Sequence, residues 1–155
     1  MGMSDMAELS ITDGIAPEHL AEVYSDAYIA RVGYDQRPFA PIFHPSVKYV
    51  SAWIDGTFAG AFLAIRATSV EIDMHALLFR RSVKHSRELG RMFLAWCFER
   101  PIFRVTAQII EGIELAVNYG LKIGFKREGF KPAMCTQNGA LRGVHILGIT
   151  RADWS

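Results

Sequence analysis

Apolar and polar positions change period several times along the chain, and those changes divide it into elements. An alternating run at 8–12 predicts a short first strand. Ala16, Pro17 and Glu18 read as a helix start, with proline in the first turn and an acid beside it. Leu20, Val23, Tyr24, Ala27 and Tyr28 follow at helical spacing, predicting one helix up to Gly33. Residues 34–46 hold three prolines and predict a loop. Two strand-like runs, 48–54 and 57–64, flank Asp55–Gly56, a strong hairpin dipeptide, and a third run at 70–79 completes an antiparallel meander. Over 86–100, Leu89, Met92, Phe93, Trp96 and Cys97 form one apolar helical stripe that Pro101 ends. A buried strand is expected at 102–110 and a helix at 113–123, closed by Gly124. Strands at 126–135 and 142–149 then form a hairpin around Asn138–Gly139.

The strand, helix and strand from Val70 to Ile110 make a crossover unit, so the two strands should be parallel neighbours in a mixed sheet. The fold class is therefore α+β, one domain over 1–155. Half the residues are apolar (50%) and 21% are charged, which suits a filled core. Residues 1–13 lack the basic and apolar regions of a signal peptide, and runs such as 58–65 are too short to span a bilayer. Cys97 and Cys135 make no disulfide framework, which points to a cytoplasmic chain with reduced thiols. A net charge of +1 makes no case for a nucleic-acid or membrane partner.

Local charge differs from the total. Arg80, Arg81, Lys84, Arg87 and Arg91 surround the start of the 86–100 helix, with Glu88 as their only opposing acid. A helix start beside cations suits a phosphate, although a solvated basic turn would look the same. On the 70–79 strand, Glu71, Asp73 and His75 alternate with Ile72, Met74 and Ala76, so the ionisable groups share one face. That face could work on protons or could simply be wet. The five histidines and two cysteines show no metal-ligand spacing, and no nucleophile elbow, P-loop or dinucleotide glycine run occurs.

The order of elements resembles the GNAT superfamily, acyltransferases that use acetyl-CoA. Residues 124–129, Gly-Phe-Lys-Arg-Glu-Gly, look like the segment that follows the last helix in many members. Residues 148–154 look like the closing strand and Arg-x-x-Trp tail of the branch that acetylates ribosomal proteins. The run from His75 to Leu78, with Gly90 to Phe98, also resembles a bacteriophage-encoded variant.

The resemblance implies a splayed sheet of six or seven strands flanked by helices, with acetyl-CoA as cosubstrate. It places the cofactor against Leu78, Phe79, Lys84, His85, Ser86, Arg87, Gly90 and Arg91. It makes Glu71 the first candidate base, Asp73 the second and His75 a base or orienter, with Tyr119 as acid for the departing thiolate. The pattern departs from the family at Glu88, where a phosphate-cradling glycine is usual, and at His85, where Gln or Arg is. Ile113 and Gly120 stand where Asn and Tyr are common, with Asn118 and Tyr119 close by. Two functions remain open: N-acetyl transfer to an amine of a small molecule or protein, or a GNAT-fold interaction module that has lost its cofactor, possible in a phage particle. A homo-oligomer is compatible with either.

Overall fold

The computed structural model describes residues 6–154. Met1–Asp5 and Ser155 lie outside the described residues, and with them the ends of the expected 1–155 domain and the first part of the 1–13 stretch. The chain runs β1 (Leu9–Asp13), α1 (Pro17–Ser25), α2 (Ala27–Ala30), β2 (Val47–Ile54), β3 (Thr57–Arg66), β4 (Glu71–Leu78), a 3-10 segment (Arg80–His85), α3 (Ser86–Phe98), β5 (Arg104–Ile110), α4 (Glu114–Ile123), β6 (Lys126–Gln137) and β7 (Ala140–Thr150). The expected elements are present with ends moved by a few residues. The exception is the first helix. It breaks at Asp26, whose backbone is extended (φ −82°, ψ 124°) and whose carboxylate accepts from the Ile29 amide to start α2. A capping side chain has overridden an unbroken apolar period.

All seven strands form one sheet in the order β1-β2-β3-β4-β5-β7-β6. Both predicted turns carry consecutive positive-φ residues, Asp55 (φ 50°) with Gly56 (φ 76°) and Asn138 (φ 51°) with Gly139 (φ 79°), as two-residue hairpins require. Among the strands of the described residues β4 and β5 are the only parallel neighbours, and they pair antiparallel to β3 and β7 on their outer sides. At Gly60 (φ +124°) β3 lies so close to β4 that a Cβ would run into the Leu77 carbonyl.

The larger core lies between the sheet and α3 with α4. Phe62, Ile72, Val105 and Leu147 meet Leu89, Phe93 and Cys97 there, and the Phe62 and Phe93 rings stack at 4.7 Å. A smaller core on the opposite face packs Val23 and Ile29 onto Tyr49, Leu63, Leu77 and Phe79. Phe39, Ile42 and Trp53 cover that face, whereas Phe43 is 81% exposed. No helix among the described residues is long and apolar enough to cross a membrane.

The proline-rich segment after α2 is tied across the sheet to the β6–β7 turn. The Asp35 carboxylate accepts from the Asn138 and Gly139 amides (3.0 and 2.9 Å), and the Asp35 amide donates to the Thr136 carbonyl (2.8 Å). Gln36 exchanges hydrogen bonds with Thr136, and the Gln137 amide donates to the carbonyls of Arg31 and Gly33 (2.9 and 2.8 Å). These bonds join β2's side of the sheet to β6 and β7 without passing through β4 and β5.

Two outcomes are expected. The Asn138 and Gly139 amides hold the Asp35 carboxyl below its ordinary value. Its contribution is therefore present above the unfolded value of about 3.9 and lost as pH falls through the lower folded value. Asp35→Asn should remove that acid dependence and lower hydrogen-exchange protection at Asn138 and Gly139 roughly tenfold. Separately, Gly90 faces α4, where a Cβ would overlap the Tyr119 hydroxyl. Gly90→Ala should cost about 1–3 kcal/mol, and less in a Tyr119→Phe background, as a thermal double-mutant cycle would read.

Candidate active site

β4 and β5 share three registered pairs, Glu71 with Arg104, Ile72 with Val105 and Asp73 with Thr106. Beyond them the strands part. Residues 74–78 of β4 keep register with β3, and residues 107–110 of β5 keep register with β7. A fork opens between the two inner edges. At its wide end, past the C-termini of both strands, lies a groove of about 690 Å³ lined by Ala27, Tyr28, Arg31, Arg80 and residues 112–115.

The floor of the fork on the α1 and α2 side is polar. Glu71 accepts from the Thr106 hydroxyl at 2.6 Å, beside Arg104, which grips Glu128 through two bonds of 2.7 and 2.8 Å. This bidentate pair raises the Arg104 guanidinium's pKa and lowers that of the Glu128 carboxyl. Glu71 is thus engaged at the closed end. Asp73 occupies the last paired position, and burial, then the neighbouring Glu71 charge, push its carboxyl up. His75 lies past the branch point, where burial, then the Arg37 charge, hold its imidazole below the ordinary value. Among the described residues neither Asp73 nor His75 has a side-chain hydrogen bond.

The residues expected to hold a cofactor divide. Leu78 ends β4, and the Phe79 side chain is buried in the smaller core with the Arg81 guanidinium 4.2 Å from its ring centroid. Lys84 and His85 end the 3-10 segment, and Ser86 and Arg87 open α3, whose start carries no side-chain cap. The Ser86 hydroxyl turns back to the Val83 carbonyl (2.8 Å). Arg87 and Glu88 are both exposed. Gly90 is buried, with the side a Cβ would occupy turned to Tyr119, and Arg91 donates to the Ile123 carbonyl (3.0 Å) and lies over the Trp154 ring. The basic cluster seen in the sequence is therefore dispersed: Arg81 also donates to the Phe58 carbonyl, and Arg80 lies over Tyr28.

Tyr119 donates to the Ser86 carbonyl at 3.0 Å, and burial pushes its hydroxyl up, so α4 is tied to the first residue of α3. Tyr28, Arg31, Arg37 and Thr106 were not singled out from the sequence. Thr106 could have been found, since pairing β4 with β5 in parallel sets a residue of β5 beside the acidic face; the others come from the α2 region with no local signature. No group of metal ligands occurs among the described residues.

No family model and no curated protein matches the chain. Solved structures do. A spermidine N-acetyltransferase from Vibrio cholerae, in complex with CoA and spermine, superposes with a TM-score of 0.81 at 13% identity, over 94% of this chain and 97% of that one. A variant of the same enzyme gives 0.79 at 11% identity, over 94% and 95%. A protein provisionally assigned as an acetyltransferase gives 0.77 at 17% identity, over 94% and 84%. The fold, with its mixed seven-stranded sheet and flanking helices, is that of the GNAT acetyltransferases.

Proposed function

We propose that this chain transfers the acetyl group of acetyl-CoA to a primary amine. The observation that carries the reading is the fork. Residues 74–78 present β4's inner backbone edge without a strand partner there, and an extended amide-bearing chain such as the pantetheine arm can pair with such an edge. Just past it, α3 begins with no capping side chain, with Lys84 shortly before it and Arg87 in its first turn. The positive end of the helix and those cations favour a phosphate, while Glu88 opposes one. When bound, acetyl-CoA supplies an activated thioester carbonyl.

The chain's own groups would order the acceptor. Asp73 faces the branch point and attracts the amine. His75, neutral at pH 7 because its value is depressed, would take the proton from the acceptor nitrogen as the new N–C bond forms and the thioester C–S bond breaks, with CoA leaving as the thiolate and taking its proton from solvent. This moves the base from Glu71, which the Thr106 hydroxyl occupies about 13 Å back along the strand at ~3.3 Å per residue. Tyr119 becomes a positioning residue, since its proton is committed to Ser86. The setting is cytoplasmic, with Cys97 and Cys135 buried as free thiols. A second reading keeps the fold without the chemistry, as an interaction module of the kind a phage particle could use. The inward-facing Gly90 beside the exposed Glu88 favours it.

Binding separates the two readings without an acceptor. A ligand at a hundredfold excess over Kd stabilises the native state by about 2.7 kcal/mol, several degrees of melting temperature at this size. Millimolar acetyl-CoA should give such a shift, Glu88→Gly a larger one and Arg87→Ala a smaller one. No shift in either wild type or Glu88→Gly would remove the enzyme reading.

With an accepted amine, thiol release should fall about 10²–10⁴-fold in His75→Gln. Because His75 is depressed in the folded state, the rate should decline only as pH drops below about 6.5. Folding stability should also decline on acidification from that point, since the unfolded chain then binds more protons. An acid limb unchanged in His75→Gln would exclude His75 as the base.

A further inference from the structure

We propose that the acceptor is a peptide whose free amino terminus is followed by acidic residues, with Arg31 and Arg80 receiving its carboxylates in the groove at the wide end of the fork. The amine end rests on the acetyltransferase reading; the anionic end rests on the groove alone. The Arg31 and Arg80 guanidiniums lie 4.2 and 5.4 Å from the centroid of one ring, Tyr28, and all three side chains line the groove.

Neither guanidinium has a carboxylate partner among the described residues. Arg81, Arg100 and Arg104 do have one, Glu22 at 3.8 Å, Asp13 at 3.6 Å and Glu128 at 2.7 Å, whereas Arg31 and Arg80 are held against the Tyr28 ring. Both guanidiniums are thus held against one aromatic ring, and their planar N–H forks can receive a carboxylate. Glu114 is the only acid in the lining, so the cations outnumber it. A polyamine, the ligand in the Vibrio cholerae structure, would meet two guanidiniums there.

Length selects a peptide over a small amino acid. From His75 to the end of β4 at Leu78 is about 10 Å at ~3.3 Å per residue, and the groove begins beyond it. An amine at His75 and an anion in the groove are therefore about 10 Å or more apart, beyond the reach of one amino acid, whose ammonium and carboxylate share a single Cα. The fork would present acids to the ammonium, and its mouth would present cations to the acids that follow.

Calorimetry with two hexapeptides tests this directly: Ala-Gly-Asp-Glu-Asp-Gly, and Ala-Gly-Lys-Arg-Lys-Gly. The acidic peptide should bind wild type at least about tenfold more tightly at low salt, the scale of charge-assisted hydrogen bonds, and the preference should shrink as salt rises. The double variant Arg31→Gln with Arg80→Gln should lose that preference while its affinity for CoA stays constant. Equal binding of the peptides, or preference for the basic one, would overturn the proposal. So would a double variant that loses CoA affinity and keeps the peptide preference, since the groove would then serve a cofactor phosphate. Peptide binding is read without turnover, so a failure of the acetyltransferase reading would appear separately, as absent CoA binding.

Discussion

The parting of β4 and β5 is the constraint on which the rest of the molecule depends. Each strand is fully committed on its outer side, β4 to β3 and β5 to β7. Sheet halves that follow their own twist cannot stay in register across a junction of three pairs. Beyond Asp73 and Thr106 the inner backbone edges must find other partners, because a buried amide or carbonyl left unpaired costs about 1–3 kcal/mol. The fold thereby carries an unfilled strand position at its centre. An extended ligand is one way to fill it, and the fork is more informative about function than any single side chain.

Two features keep the halves together despite the short junction. On one face, α3 and α4 share a continuous apolar core with strands of both halves, and the Tyr119 hydroxyl, packed over Gly90, ties the two helices. On the other face the smaller core covers β2, β3 and β4, and the Asp35–Gln36 strap reaches over to the β6–β7 turn. Between these covers the floor of the fork stays polar. Arg104 and Glu128 neutralise each other at the closed end, where the Thr106 hydroxyl holds Glu71, which leaves Asp73 and His75 as the ionisable groups nearest the opening.

Elements with a strong local period were legible in the sequence: the stripe of α3, the hairpin at Asp55–Gly56, and the alternation that sets Glu71, Asp73 and His75 on one face. The parallel pairing of β4 and β5 followed from the crossover between them. What depended on distant contacts was not legible. The break at Asp26 comes from a side chain competing with the helix, which apolar spacing does not register. Gly90 matched a glycine of the phosphate turn in sequence, which gave no sign that α4 approaches it so closely. Arg91 belonged to a basic cluster in sequence and to the Ile123 carbonyl in space. The resemblance put Glu71 first as a base, and alternation along β4 could not show that Thr106 engages Glu71 at the strand's paired end. Arg31 and Tyr28 carried no local signal, since the groove they line is built from segments far apart in the chain.

The central claim is that β4's inner edge beyond Asp73 is a binding edge. Amide hydrogen exchange across residues 71–79, with and without saturating CoA, tests it most directly. If the edge receives the ligand, amides within 74–78 should gain protection, while those of Ile72 and Asp73, inside the β4–β5 junction, should change little. Protection that is unaltered in 74–78, or that rises only on other strands, would contradict the assignment of the fork as the site.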